Sequence, residues 1–405
     1  MKINNKKNIV RALVFSFVAL GVSSCSTQLT HKKVLSHAQQ QTDLLLAEIP
    51  KAPNKNGTLV TPRTVEKGEL ILVAPRDWTS GFFPGTMWYL YELTKNDKWK
   101  NEAQVYTEKV EQEKFNGRTH DMGFKIYCSF GNGFRLTKNE KYKDIIIQSA
   151  KTLITRFNPA VGAIRSWDHN ADKWDFPVII DNMMNLELLF EATKLTGDSL
   201  YHKIAVTHAN TTLKNHFRPD YSTYHVISYN PTTGAVEKRN THQGYAHESA
   251  WARGQAWAIY GYTLCYRETK DPRYLEQAQN IANFLFTNKN MPDDLVPYWD
   301  FDVPNIEKEP RDVSAATIIA SSLYELSTYS KHKEDYLKKA NKIISSVQKT
   351  YKSDLGTNKG FILDHSTGHK PSNGEIDVPL NYADYYYMES LVRAKRLKDK
   401  QAVVQ

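Results

Sequence analysis

The chain has 405 residues, and its 40% hydrophobic and 12% aromatic content excludes a disordered protein and allows a large buried core. It carries 53 Lys and Arg residues against 44 Asp and Glu residues, a net charge of +9 that favours anionic partners. Basic residues are not clustered with aromatic ones in the manner of a nucleic-acid-binding surface, so that class of function is set aside.

The N-terminus has the pattern of an export signal. A basic region is followed by an apolar run, Ala12 to Val22, that is too short to span a bilayer. Two serines then lead directly into Cys25, an order that resembles a bacterial lipoprotein signal, with an ordinary secretory signal as the alternative. Acyl chains on Cys25 would anchor the protein in the bacterial cell envelope, on the periplasmic side or at the outer membrane. The expected organisation is a signal peptide over 1–24, a short polar tether over 25–33 and one domain over 34–400.

The two remaining cysteines, Cys128 and Cys265, lie in apolar helical patterns. Free Cys is among the most buried residue types, and the chain has no further cysteines that would indicate a disulfide framework. We therefore expect two buried free thiols.

Two kinds of helical segment alternate along the domain. The first kind is apolar or small on all sides, as in a helix that is packed all round, and the second keeps one polar stripe that faces water. The first kind covers Ser80–Leu93, Gly123–Leu136, Asp181–Leu195, Ala250–Glu268, Val313–Leu326 and Tyr382–Leu397. The second kind is clearest at Tyr142–Phe157, Tyr201–His216, Tyr274–Phe286 and Tyr336–Tyr351. Six inner and six outer helices in alternation predict an all-α fold, an (α/α)6 barrel closed into a toroid, which needs no capping repeats.

The connections that lead into the inner helices are long, and in such a barrel they lie together on one face. Long loops on a rigid scaffold are where binding and catalytic residues collect. Residues far apart in the sequence should therefore converge on one pocket. The long connections are 52–79, 159–180, 218–249, 288–312 and 352–381.

Two aspartates lie at the starts of inner helices on that face. Asp181 follows the apolar run Pro177–Ile180, and partial desolvation would favour its protonated form, which suits a general acid near neutral pH. Asp121 follows His120 at the preceding inner helix, where a second carboxylate would tune Asp181 or bind a sugar hydroxyl. Either aspartate alone is also a common helix N-cap. Two convergent acids are typical of a glycosidase.

Arg253 lies between Trp251 and Trp257 and is poorly suited to a dry core. Facing the cavity, it would bind a carboxylate between aromatic walls; an ion pair with a buried acid is the structural alternative. The nearby His247-Glu248 pair is not followed by a second His at helical spacing and is not a zinc motif. The sequence also lacks a phosphate-binding loop, a dinucleotide fingerprint and a serine nucleophile elbow.

Six motifs, in order along the chain, resemble those of glycoside hydrolase family 88, the unsaturated glucuronyl hydrolases. They are Trp78–Gly85, His120–Phe124, Ile180–Asn185, Trp251–Trp257, Tyr298–Phe301 and Arg311–Ala315. The resemblance covers nearly all of the chain after the signal. It implies an (α/α)6 barrel, in agreement with the periodicity.

The resemblance implies an unusual hydrolysis. Such enzymes remove a 4,5-unsaturated uronic acid from the non-reducing end of polysaccharide-lyase products by hydrating its C4=C5 vinyl ether. Asp181 would be the general acid and base, supported by Asp121. Neither a metal nor an organic cofactor is implied, because the alkene supplies the reactivity. The residues that would line the pocket are Trp78, His120, His225, Gln243, Arg253 and Trp257.

Two other functions stay open. One is the unsaturated rhamnogalacturonyl hydrolase activity of family 105, although the string Arg253–Trp257 favours family 88. The other is an inactive oligosaccharide-binding lipoprotein, against which the presence of both Asp121 and Asp181 argues. The expected partners are a membrane, reached through the lipid anchor, and anionic unsaturated oligosaccharides, including sulfated fragments of ulvan or glycosaminoglycans. The Lys-containing segment 365–370 would suit a sulfate. We expect a monomer or weak dimer.

Overall fold

A computed structural model describes residues 32–54 and 56–405. The signal peptide, Cys25 and most of the expected tether lie outside the described residues. The first described helix, α1, covers 32–48 and so includes the last two positions of that tether. No helix in the described ranges combines the length and the apolar character needed to cross a bilayer.

Six mostly apolar helices form an inner ring, in which each packs against the next and the last packs against the first. Every residue of α10 is buried, as expected for a helix surrounded on all sides. Cys128 and Cys265 lie in this ring as buried free thiols, which confirms the prediction for both. The inner helices are α2 (Phe82–Thr94), α4 (Asn132–Thr137, preceded by the π-helical segment Gly123–Gly131), α6 (Leu186–Thr196, preceded by the 3-10 segment Ile180–Asn185), α8 (Ala252–Thr269), α10 (Val313–Leu326) and α12 (Asn381–Lys398).

The outer ring consists of amphipathic helices that pack on the inner ones. They are α1, α3 (Asp97–Glu108), α5 (Glu140–Ile154), α7 (Ser199–Asn215), α9 (Pro272–Thr287) and α11 (Lys333–Ser346). Helix α1 completes the ring: Trp99 Nε1 in α3 donates to Gln39 Oε1 at 3.2 Å, and Gln41 Nε2 donates to the carbonyl of Phe361 at 2.8 Å. The predicted (α/α)6 barrel is confirmed.

Tight turns join four of the inner helices to the outer helices that follow. The inner helix ends at a residue with positive φ, and the outer helix begins with an N-cap whose side chain accepts a backbone N–H. The left-handed C-caps are Lys95, Lys138, Gly197 and Lys270, and the N-caps are Asn96, Asn139, Asp198 and Asp271. Because of these turns the connections on one face of the barrel are short, and the long connections lie on the other face.

Short antiparallel strands lie in the long connections, and the sequence did not predict them. They are β1 (Thr61–Glu66), β2 (Glu69–Val73), β3 (Phe157–Asn158), β4 (Ala163–Ile164), β5 (Pro177–Ile179), β6 (Val226–Tyr229), β7 (Val236–Asn240), β8 (Ser366–His369) and β9 (Gly374–Val378). They form β1–β2, β3–β4, β5–β6–β7 and β8–β9 sheets. Strands of two to six residues are too short to show a clear alternation of apolar and polar positions. Further 3-10 turns lie at Ile49–Lys51, Glu111–Phe115, Ile306–Lys308, Asn358–Gly360 and Lys370–Ser372, and a π turn at Val347–Tyr351 extends α11.

Candidate active site

Strand pairing brings Asp181 next to His225. In the β5–β6 pair Ile179 lies opposite Val226, and the N–H of Ile180 donates to the carbonyl of His225 at 3.1 Å. Asp181 therefore follows the end of β5 where His225 precedes the start of β6. The two side chains face each other, with His225 Nε2 3.6 Å from Asp181 Oδ2.

The carboxyl group of Asp181 is poorly solvated. The residue is 7% exposed, and its Oδ2 is buried without a hydrogen-bond partner among the described residues. Burial raises the pKa of Asp181 to about 7, with the charge of Asp121 adding to the rise and the charge of Arg253 opposing it. A carboxyl group with that pKa is substantially protonated at neutral pH and can donate a proton.

His225 is held in one tautomer. Its Nδ1 accepts the backbone N–H groups of His242 and Gln243, each at 3.1 Å. Burial lowers the pKa of His225 well below its usual value, so the ring is neutral. A neutral imidazole carries one proton, and because Nδ1 accepts, that proton lies on Nε2. The Nε2–H group therefore faces Asp181.

Asp121 contacts the buried His120 ring on one side and is partly exposed to solvent on the other. The hydroxyl of Thr119 donates to Asp121 Oδ2 at 2.6 Å, and His120 Nε2 lies 3.2 Å from Asp121 Oδ1. The His120 ring is 2% exposed, and burial lowers its pKa, partly offset by the charge of Asp121. The Asp121 side chain is 20% exposed. One of the two acids is thus buried and the other reaches solvent.

Aromatic side chains form walls next to the acids. Trp257 is fully buried against the ring of Phe124, and its Nε1 has no hydrogen-bond partner in the described part of the chain. Trp78 is half-buried and packs on Tyr382, with ring centroids 4.9 Å apart. Trp78 lines the cleft and can present a flat face of the kind that sugar rings stack on, whereas the ring of Trp257 is enclosed.

Arg253 forms a buried ion pair. Its Nη1 lies 2.8 Å from Asp312 Oδ2, and its terminal nitrogens donate to the carbonyls of Thr367 and Gly368 at 2.6 Å each. The residue is 1% exposed, and only its Nε lacks a partner among the described residues. This is the arrangement that the sequence left open as the structural alternative. The guanidinium ties α8 to β8, and its charge also acts on Asp181.

Gln243 links the carbonyl of Gly368, which Arg253 also contacts, to the ring of His225. Its Nε2 donates to the carbonyl of Gly368 at 3.2 Å, the oxygen that also accepts from Arg253. Its backbone N–H binds the ring of His225. Asp312 and Gly368 were not assigned to the site from the sequence. Asp312 lies in the motif Arg311–Ala315, and in the structure it also caps α10.

An open cleft of about 700 Å3 adjoins Asp121. Its lining residues come from the segment before β1, from β2 and the segment after it, and from the loop before the π-helical segment. They are Leu59, Leu72, Val73, Ala74, Arg76, Asp77, Trp78, Asn116, Arg118, Thr119 and Asp121. Arg76 and Arg118 are exposed, and no ion pair of either is found in the described residues. These two arginines could not be identified from the sequence, because each stands alone in its loop.

A second unpredicted feature is a cluster of imidazole and indole rings beyond His225. The ring of His242 lies 4.8 Å from that of His369, 5.6 Å from that of Trp167 and 6.5 Å from that of His225. Burial lowers the pKa of His242 to about 4, so its ring is uncharged at neutral pH. Over residues 32–54 and 56–405, no group of three His, Cys, Asp or Glu side chains is arranged to hold a metal ion.

The comparisons with known proteins agree with one another. The model of "Glycosyl Hydrolase Family 88" matches residues 58–396. An unsaturated glucuronyl hydrolase of Formosa agariphila is 50% identical over 97% of this chain and 99% of its own length.

Two solved structures are similar over most of the chain. The crystal structure of an unsaturated glucuronyl hydrolase specific for heparin superposes with a TM-score of 0.86 at 46% identity, covering 91% of this chain and 98% of the other. A variant of the unsaturated glucuronyl hydrolase from Streptococcus agalactiae, complexed with dGlcA-GalNAc6S, superposes with a TM-score of 0.73 at 28% identity, covering 90% of each chain.

Proposed function

The chain belongs to glycoside hydrolase family 88 and is an enzyme of the unsaturated glucuronyl hydrolase type, and we propose that Asp181 is its general acid and base. The family match decides against the family 105 alternative. The observation that carries the proposal is the buried Asp181 carboxyl group, whose pKa is raised to about 7, in part by the charge of Asp121, the acid that lines the open cleft.

The proposed reaction is hydration of the vinyl ether. Protonated Asp181 delivers its proton to C4 of the unsaturated uronic acid, and positive charge develops at C5, next to the ring oxygen. The Asp181 carboxylate then takes a proton from the water that adds at C5. The hemiketal formed in this way opens to a ketone, and the C1 hemiacetal that results releases the next sugar. Asp121 binds sugar hydroxyls and, through its charge, keeps the pKa of Asp181 high.

The neutral Nε2–H of His225 has a defined part in this cycle. It faces the carboxylate that remains after the proton has left, at 3.6 Å, and stabilises it through the N–H dipole of an uncharged ring. A charged imidazolium would lower the pKa of Asp181 and weaken it as an acid. The low pKa of His225 therefore keeps Asp181 competent near neutral pH.

The substrate is an unsaturated oligosaccharide, and its second sugar carries an anionic group such as sulfate. Arg76 and Arg118 support this part of the proposal, because they line the cleft next to Asp121 with no ion pair among the described residues. Guanidinium groups suit sulfate and carboxylate through paired hydrogen bonds. Ulvan and glycosaminoglycan fragments are the candidate sources. The related enzyme from Streptococcus agalactiae that is complexed with dGlcA-GalNAc6S supports a sulfated second sugar.

Variants of the two acids test the reaction. Loss of absorbance of the conjugated enol-ether carboxylate reports hydration of lyase-generated oligosaccharides. Asp181→Asn should lose about a thousandfold in kcat, a typical contribution of general acid–base catalysis, and Asp121→Asn should lose less. Asp198→Asn, in an exposed N-cap on the opposite face, is the control and should retain full turnover. Full turnover by Asp181→Asn would refute the assignment. Binding without any turnover by the wild type would favour the inactive binding protein.

The location of the enzyme is part of the proposal. Signal cleavage after residue 24 and acylation of Cys25 would hold it in the cell envelope, on the periplasmic side or at the outer membrane, as a monomer or weak dimer. The support is the order of basic, apolar and small residues before Cys25. On detergent phase partitioning, the wild type should enter the detergent phase and Cys25→Ser the aqueous phase. Wild-type protein in the aqueous phase would refute the anchor.

A further inference from the structure

Asp300 is a fully buried carboxylate that the mechanism above does not use. It pairs with Trp251, the residue just before α8, in an isolated antiparallel β-bridge. Its Oδ2 accepts the N–H of Tyr245 at 2.9 Å and lies 2.7 Å from the hydroxyl of Ser249, and its Oδ1 accepts the N–H of Asp302 at 3.0 Å. No cation pairs with it within the described ranges. Burying a carboxylate without a cation costs free energy that its hydrogen bonds must offset. Such an arrangement points to a structural task for Asp300.

That task is to hold the segment 241–249, which we call the support loop. The loop has two attachments. Its second half is fixed to Asp300 through Tyr245 and Ser249. Its first half provides the two backbone N–H groups, from His242 and Gln243, that the Nδ1 of His225 accepts.

Gly244 lies between the two attached halves of the support loop, and its surroundings leave no room for a side chain. A Cβ at this position would lie 3.1 Å from Asp300 Oδ2 and 2.7 Å from Thr241 Oγ1. The Gly244 N–H donates to that same hydroxyl at 2.7 Å. A displacement of the loop at Asp300 is therefore passed on to the residues that bind His225.

We propose that Asp300 is a positioning residue for Asp181: it fixes the support loop, the loop keeps His225 as the Nε2–H tautomer, and that N–H faces the reacting carboxyl group. Without Asp300 the two donors move away from Nδ1, and the imidazole proton is free to shift to it. The lone pair of Nε2 then faces Asp181 Oδ2, which disfavours the carboxylate and strengthens its hold on the proton. The kinetic part of this inference rests on the proposed function; the tautomer part does not.

Asp300→Asn tests the inference against a matched control. Asp384 is also a buried aspartate, and it accepts the N–H groups of Ile362 and Leu363 at 2.9 Å each, but it does not contact the support loop. In Asp300→Asn the alkaline limb of the kcat profile should move upward by roughly 0.5 to 1 pH unit, because a lone pair replaces the N–H dipole that faces Asp181 at 3.6 Å. In Asp384→Asn the limb should stay in place. An unmoved limb in folded Asp300→Asn, or an equal shift in Asp384→Asn, would overturn the inference.

A double mutant shows whether the effect passes through His225. In a His225→Ala background, Asp300→Asn should cause no further shift, because the group through which it acts is gone. An undiminished shift in that background would mean a different route. If Asp300→Asn does not fold, Ser249→Ala removes one donor and leaves the carboxylate in place. It should shift the limb in the same direction by a smaller amount, and no shift would count against the inference.

The tautomer can be observed without substrate. In protein labelled with 15N-histidine, the His225 resonances are those that disappear in His225→Ala. The wild type should show a protonated Nε2 and an unprotonated Nδ1, and Asp300→Asn a mixture of tautomers. An unchanged Nε2–H pattern in Asp300→Asn would overturn the inference even if the alkene chemistry were confirmed. A mixture would support it even if that chemistry failed.

Discussion

Asp181→Asn should make the protein more stable as well as inactive, and the gain should grow with pH. Burial raises the pKa of Asp181 from 3.8 to about 7. The folded protein therefore binds this proton more tightly than the unfolded chain does. Stability from this residue is fully present below pH 3.8 and is lost as the pH rises to about 7. An asparagine does not titrate and does not show this loss.

The magnitude follows from the size of the shift. Each pH unit between the unfolded and folded pKa values costs about 1.4 kcal/mol, and two of those units lie between pH 5 and pH 8, so the loss over that range is about 3 kcal/mol. The advantage of Asp181→Asn over the wild type should therefore grow by about 3 kcal/mol between these conditions. For a folded domain of this length, that difference corresponds to about 4 °C in Tm.

Thermal unfolding of both proteins at a series of pH values measures the difference. The comparison of interest is the Tm of Asp181→Asn minus that of the wild type, since the other titrating groups cancel. Asp198→Asn, on the exposed N-cap of α7, controls for removing a carboxylate and should follow the wild type throughout. A Tm difference that does not change with pH would refute the claim that Asp181 is desolvated in the folded protein.

Three further outcomes are expected. Because the proposed acid must be protonated, kcat should fall as the pH rises past about 7, and a rate that still rises above pH 8 would contradict this. Arg76→Ala with Arg118→Ala should raise KM about tenfold for a sulfated disaccharide but not for its unsulfated counterpart, a difference of about 1.4 kcal/mol; equal KM changes for both would refute the anion site. Asp312→Ala should lower the free energy of unfolding by about 3 to 5 kcal/mol in a denaturant titration, because it leaves Arg253 buried without its carboxylate. A loss below about 1 kcal/mol would contradict this and show that the carbonyls of Thr367 and Gly368 are enough to stabilise the buried guanidinium.

The ring architecture could be predicted because a helix buried on all sides has a distinctive composition. Helix α10 has the predicted limits, Val313–Leu326, and all of its residues are buried. Its outer neighbours have a polar stripe that marks the solvent side. These signals are local, so they are readable from one segment at a time.

The site could be predicted only in part, because its key contacts join distant segments. Asp181 and Asp121 were identifiable from their positions at the starts of inner helices. The pairing of β5 with β6, which sets His225 against Asp181, depends on three-residue β5, whose pattern is too short to indicate a partner. Whether Arg253 faced a ligand or a protein acid depended on where Asp312 would lie, 59 residues further on.

The central claim, hydration of the alkene by Asp181, is tested most directly by following two signals in one time course. Enol-ether absorbance reports the C4=C5 bond, and release of the second sugar reports cleavage of the glycosidic bond. Hydration predicts that absorbance falls before or together with sugar release, and that Asp181→Asn slows both equally. Sugar release that runs ahead of the absorbance loss would mean direct attack at C1 and would contradict the account.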